Sequence, residues 1–443
     1  MIDVAHMQLF SDLGQRGAAL GRWLIRPANV QQRNVRNVLI DGIGVALVQG
    51  VATFLSVFLV RLGATPFMVG LLTSMPALTG MLLAIPVGRL LERQRDILPW
   101  YSRVRVLVLG SYALTGLVPF IFPPEVTIIA IIAIWAIATV PQAVVNVAFT
   151  MVMSAVAGPN QRYYLMSRRW SIMGVTTAIT VALVGVILDM ISFPLNYQLV
   201  FIASFAGGML SFAFSNRIEL PPSTLPELVQ PERVPLRERL SDGLAAMRQN
   251  TEYNKFLISQ FVFRCGLTLS IPLFPLYWVR ELNAPDSWIG VINTVNSAVL
   301  MVAYFLWSKV SERRGNSMVL RACAFGLVFY PLLTGLTTSL APLPIYAGFA
   351  GIFAAGIDLV MFDILLDTCP PRHAASYIAL FQTTTYVATF LAPTLGTYLA
   401  DALGYAPAVY VSAGLRLVGA VLFVTMGVGR ARQGDKETRR QAT

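Results

Sequence analysis

The feature that most constrains this chain is a recurrence: apolar runs of about twenty residues, the length needed to cross about 30 Å of hydrocarbon, follow one another almost from end to end. They bracket at 38–60, 66–87, 103–122, 126–155, 170–192 and 195–215, then at 256–279, 287–307, 317–338, 343–366, 377–400 and 405–429. Only 12% of residues are charged and 56% are hydrophobic, whereas soluble domains carry about 25% charge. Mean hydropathy is +0.66. The sequence predicts an all-α membrane protein with twelve transmembrane helices.

A net charge of +11 could suggest nucleic acid, but the lysines and arginines fall between apolar runs instead of clustering among base-stacking aromatics. No nucleic-acid partner is expected. Cys265, Cys323 and Cys369 show no CxxC spacing, and with only His6 and His373 available neither a metal cluster nor a disulfide is expected. Residues 1–36 contain five arginines and no sustained apolar core, unlike a cleavable signal peptide. The stretch MQLFSDLGQRGAALGRWLIR can form an interfacial amphipathic helix or a solvated tail.

Charge asymmetry orients the runs. With the N-terminus in the cytosol, nearly all basic residues fall on cytosolic segments, and the opposite side keeps only Arg61 and Arg280. Both termini are then cytosolic, as an even number of spans requires. The organisation expected is a cytosolic segment 1–36, a six-helix bundle 37–216, a Pro-rich, mixed-charge cytosolic loop 217–255 ending in an amphipathic helix, a second bundle 256–429 and a basic tail 430–443.

The two halves are repeats. LGATPFMVGLLTSMPALTGMLLAIPVGRLLERQR, from Leu62, aligns without a gap on LNAPDSWIGVINTVNSAVLMVAYFLWSKVSERRG, from Leu282, at an offset of 220. Gly70 falls on Gly290, Arg89 on Lys309, Glu92 on Glu312 and Arg93 on Arg313. A shorter match brings Asn146 onto Asp358.

Six plus six spans, a long central loop and GRLLERQR between spans two and three resemble the major facilitator superfamily, whose signature there is G-x-L-x-D-R-x-G-R. Gly88, Leu90, Glu92, Arg93 and Arg95 match it, with Glu for the usual Asp and Gln94 where glycine is usual; the second copy, SKVSERRG, has Ser308 in place of the glycine. The resemblance implies two pseudo-symmetric six-helix bundles. In physical terms Gly88 permits close helix approach, while Glu92, Arg93, Glu312 and Arg313 either pair across a gate or stand as solvated topogenic charges. Arg95, Arg103 and Arg105 read as solvated. Span five lacks the G-P-x-x-G-G pattern of drug-proton antiporters and no P-E-S-P-R-like stretch follows span six, so no subfamily is assigned.

The resemblance also implies that spans one, four, seven and ten line a central cavity, with a site near the midplane. These spans hold most of the intramembrane polar residues: Asp41 and Gln49; Gln142 and Asn146 on one helix face; Gln260, Arg264 and Thr268; Asp358, Asp363 and Asp367. Counting about 1.5 Å per residue from the nearest cytosolic flank puts Asp41 about 7 Å deep, Asp363 about 10 Å, Arg264 about 13 Å and Asp358 about 18 Å. An Arg264 pair with Asp358 or Asp363 is the expected way to keep these charges in the membrane. It could be a permanent brace, or a switch opened when the carboxylate binds a proton. Asp358 is the expected substrate or proton site and Asp367 a helix-end residue. Asp41 is a gate residue or a snorkelling partner of Arg36; the partner of Arg416 is not legible in the sequence, and an outer-helix location would favour a span-ten carboxylate.

The function expected is secondary active transport of a small organic solute by alternating access, coupled to protons, by a monomer in the cell membrane without a cofactor. Arginine, amides, carboxylates and Phe274, Tyr277 and Trp278 suit an amphiphilic or charged solute better than a sugar. The alternative is a scaffold or assembly protein for a membrane complex, lipid or pigment. Enzyme activity is not expected, since no G-x-G-D, G-x-S-G or H-E-x-x-H segment occurs.

Overall fold

A computed structural model describes residues 29–92, 94, 98–219, 250–369 and 374–429. The proposed interfacial helix at the N-terminus, most of the 217–255 loop, Arg93, Arg95 and the basic tail lie outside them. Every regular element described is helical.

The first span is a broken helix, Val30–Ala52 followed by Leu55–Arg61, with Thr53 and Phe54 between. The second and third are Pro66–Glu92 and Leu98–Leu117. Spans four and five fall in one helical element, Pro124–Met190, where the sequence reading placed a loop after residue 155. They nevertheless run antiparallel, because the Arg169 guanidinium lies 4.6 Å from the Phe149 ring centroid and so closes a hairpin. Span six is Leu195–Ser215.

The second half repeats the plan. Span seven is broken like span one: Thr251–Leu269, then a short Leu273–Leu276 turn running into a π-helical Tyr277–Glu281. Spans eight to twelve are Asp286–Arg314, Asn316–Leu336, Leu343–Thr368, Ala374–Leu403 and Tyr405–Thr425. Eleven helical stretches are long and apolar enough to cross a membrane. The remaining one, Ala374–Leu403, is diluted by Thr383, Thr384, Thr385, Thr389, Thr394 and Thr397. Each of these hydroxyls donates to a carbonyl of its own helix, so their polarity is satisfied before the helix meets lipid.

The bundles meet along two seams. Span two packs on span eleven, where a Cβ on Gly70 would lie 2.7 Å from Thr397 Oγ1. Span five packs on span eight, where a Cβ on Gly185 would lie 3.0 Å from the Asp286 carbonyl and 3.1 Å from Gly290 Cα. Gly70 and Gly290, matched by the sequence repeat, thus occupy equivalent seams, and small residues let the backbones approach.

Candidate functional site

Between the seams run spans one, four, seven and ten. Spans one and seven are interrupted at corresponding places, after Ala52 and after Leu269. Paired interruptions of this kind expose backbone groups near the midplane and point to the binding region of a repeat transporter fold.

One end of the central space is sealed. Arg61 Nε donates to Asp286 Oδ1 at 2.9 Å and its Nη2 donates to the Ala284 carbonyl at 2.8 Å. Tyr197 Oη donates to the same Asp286 oxygen at 2.7 Å. Asp189, from span five, accepts the Asp286 and Ser287 amides at 2.9 and 3.0 Å, capping a helix of the other bundle. Arg280 donates to the Ala64 carbonyl and to Tyr405 Oη. The two arginines left by the sequence on this side therefore both cross between bundles. Tyr277 and Trp278, read as candidate solute contacts, are buried in the apolar core beneath this seal, and Tyr277 Oη donates to the Thr337 carbonyl at 2.8 Å.

Toward the other end Gln49, Asn146, Asp358, Asp363 and Asp367 are exposed. Gln142 Nε2 donates to Asn146 Oδ1 at 2.8 Å. Asp358 accepts from Tyr304 Oη at 3.1 Å. Arg264, half-buried, feels the attraction of Asp358 without touching it. The expected ion pair of Arg264 with Asp358 or Asp363 is thus not made in this conformation, and among the described residues neither Arg264 nor Asp363 has a side-chain hydrogen bond or ion pair. Gln260 is buried and donates to Thr385 Oγ1 at 3.1 Å. Met301 packs on Gly174 in the seam, and Tyr304 and Arg169 lie about a turn beyond it in the same direction, so Asp358 and Arg169 sit at similar depth.

Asp41 departs most from the sequence reading. It is fully buried and does not meet Arg36, whose Nη2 donates to Asn37 Oδ1 at 3.3 Å. Instead Oδ1 accepts from Arg105 and from Ser211 Oγ at 2.6 Å, while Oδ2 accepts from Tyr101 Oη at 3.1 Å and Arg169 Nη2 at 3.2 Å. Four donors saturate the carboxylate. Arg105, expected to be solvated, is 5% exposed because span three begins at Leu98, two turns before it. Arg169, grouped with the loop charges, is 3% exposed. Equal distance from the membrane edge was the available signal: an aspartate about 7 Å inside needs a cation at that depth. Gly42 makes room, since a Cβ there would lie 3.2 Å from Arg169 Cγ.

Among the described residues Arg416 has no carboxylate partner. Its Nη1 donates to the Leu327 carbonyl at 2.9 Å, Nη2 to Ser270 Oγ at 2.6 Å and Nε to the Gly266 carbonyl at 3.3 Å. Both carbonyls are ones the helices leave open. Pro331, four residues after Leu327, has no N–H, and the Ser270 amide turns to Thr268 instead of Gly266. Arg416 therefore mends the interruption of span seven and the proline gap of span nine together.

Of the proposed gating residues, the side chains of Gly88 and Glu92 and all of Arg93 lie outside the described residues. Glu312 and Arg313 are exposed at the end of span eight, with no partner among the described residues.

Two six-helix bundles with broken central helices and one sealed end define a membrane protein of the alternating-access type of fold. The family model of the Major Facilitator Superfamily matches residues 256–442. The fold as a whole resembles the nucleoside transporter NupG, at 12% identity with a TM-score of 0.70 over 90% of this chain and 100% of that one. It also resembles the xylose transporter XylE from E. coli in an inward-open conformation, at 10% identity and a TM-score of 0.65 over 91% and 97%. The second half of the chain thus matches the superfamily's model, its whole length shares the fold of these transporters, and it is a multi-pass membrane protein. The multidrug resistance protein MdtG of Proteus mirabilis is 25% identical over 169 residues, which is 37% of this chain and 40% of that protein. MdtG of Enterobacter lignolyticus is 25% identical over 161 residues, 35% and 38% respectively. The match thus spans about two fifths of the length of these curated relatives.

Proposed function

We propose that the chain is a secondary active transporter that moves a small organic solute by rocking its bundles about the central cavity, with protons as the coupling ion. The observation that carries this reading is the paired interruption of spans one and seven beside a cavity sealed at one end and lined, toward the other, by Gln49, Gln142, Asn146, Arg264 and Asp358. The basic loops place the exposed end toward the cytosol. The protein works as a monomer in the lipid bilayer, without a cofactor, without nucleic acid and without catalysing a reaction. That the relatives are multidrug resistance proteins and that transporters share the fold agrees with this reading.

Asp358 is the proton-carrying group. It faces the cavity, can accept a proton, and has near it an arginine that cannot lose one. Protonation removes its hold on Arg264, which changes the charge that the solute meets. Proteoliposomes test this: Asp358→Asn should abolish solute-driven proton movement while Asp363→Asn leaves most of it. Unchanged coupled flux in Asp358→Asn would overturn the assignment.

A further inference from the structure

A recess of the central space lies in the first bundle, and Arg264 and Asp358 are not among its lining residues. It has a volume of about 260 Å³ and is lined by spans one, three, four, five and six. Its floor is the Asp41 cluster. Two guanidinium groups, Arg105 and Arg169, face one carboxylate there, so a positive charge is left over at the base of an otherwise apolar chamber. Arg105 and Arg169 are 5% and 3% exposed and both line the cavity.

The walls complement that floor. Phe149, Trp170 and Tyr112 stand with Val48 and Val145 around the chamber, while Gln142 and the exposed Asn146 and Gln49 lie where it meets the central space. The volume is just under the roughly 300–1,000 Å³ of pockets that hold whole drug-sized molecules. It suits one ring or short chain carrying a single charged head.

We infer that this chamber binds the anionic head of an organic acid, a carboxylate or phosphate on an apolar body, with Arg105 and Arg169 supplying the positive charge that draws it. The inference names the solute class for the transport reading, but binding itself does not depend on that reading. The same chemistry is offered by a soluble organic anion and by the headgroup of an anionic lipid.

Calorimetric titration of the purified full-length chain in nanodiscs tests it with benzoate and phenyl phosphate against benzyl alcohol and benzylamine. In zwitterionic lipid the anions should bind at least tenfold more tightly than the neutral and cationic analogues. Arg169→Lys keeps a cation for Asp41 but loses the planar guanidinium with its several donors, and should weaken anion binding tenfold or more. Asn146→Ala, at the mouth and away from the ion pairs, should weaken it several-fold and serves if the lysine variant fails to fold. Loss of benzoate binding in nanodiscs containing phosphatidylglycerol would identify a lipid headgroup as the occupant; unchanged binding would identify a soluble acid. Equal binding of all four probes, preference for benzylamine, or full anion affinity in both variants would overturn the inference. Anion binding without transport of any anion would leave the site standing and count against the transporter reading instead.

Discussion

Arg61 places two nitrogens on a single oxygen of Asp286, Nε at 2.9 Å and Nη2 at 2.8 Å, joining the last residue of the first span to the first residue of the eighth. Both side chains are mostly buried, so solvent screens the pair less than a surface bridge. It holds one end of the cavity shut.

Breaking that pair should therefore bias conformation. Hydrogen bonds to charged groups contribute about 1.5–3 kcal/mol, enough for a tenfold or greater shift between states. Arg61→Gln and Asp286→Asn should each increase the population open at this end. Pulsed electron-paramagnetic distances between nitroxide labels across the seal would show it; distributions identical to wild type would remove the pair from the gate.

Asp41 should behave as a structural residue. Asp41→Asn leaves Arg105 and Arg169 buried without their counter-charge, which costs about 3–5 kcal/mol when a buried pair loses one partner. Thermal unfolding in detergent should fall markedly. Proton movement per folded molecule should remain, separating this aspartate from Asp358.

Arg416 and Pro331 should couple. Arg416→Met leaves the Leu327 carbonyl open, at about 1–3 kcal/mol, because Pro331 cannot donate to it. Pro331→Ala supplies the missing amide. The cost of Arg416→Met should then be smaller in the Pro331→Ala background, and a double-mutant cycle on unfolding free energy would read the difference directly. Strict additivity would contradict the mending role.

Gly185→Val should jam the seam between spans five and eight. The atoms a Cβ meets there are backbone, the Asp286 carbonyl at 3.0 Å and Gly290 Cα at 3.1 Å, and neither can turn aside. Transport should be lost and the unfolding midpoint lowered, whereas Gly110→Val, with nothing within 4 Å of its Cβ, should be nearly neutral.

Much of the fold was legible because its signals are long. Twelve apolar runs and a gapless repeat survive any local ambiguity, and the repeat pair Gly70 and Gly290 turns out to stand at the two seams. Even so, the apolar runs left a gap after residue 155 where the chain stays helical. The site was legible in part. The resemblance put Asp358, Arg264 and Asn146 on spans expected to line the cavity and depth counting ordered the charges, but depth works along one helix and carries no information about rotation between helices. Hence Asp41 was offered Arg36, its neighbour in sequence, while its partners Arg105, Arg169 and Ser211 come from three other spans. The sequence left the partner of Arg416 open; the partners it found are carbonyls opened by a proline and a helix break, visible only once span nine lies against span twelve.

Asp189 gives the closed end a further property. The helix beginning at Asp286 is capped not by its own bundle but by a side chain of the other, through two amide hydrogen bonds. Separating the bundles at that end strips a helix terminus of its acceptor, and only water can take over. Any opening between the bundles at that end and the entry of water there go together, so hydration is part of the conformational change.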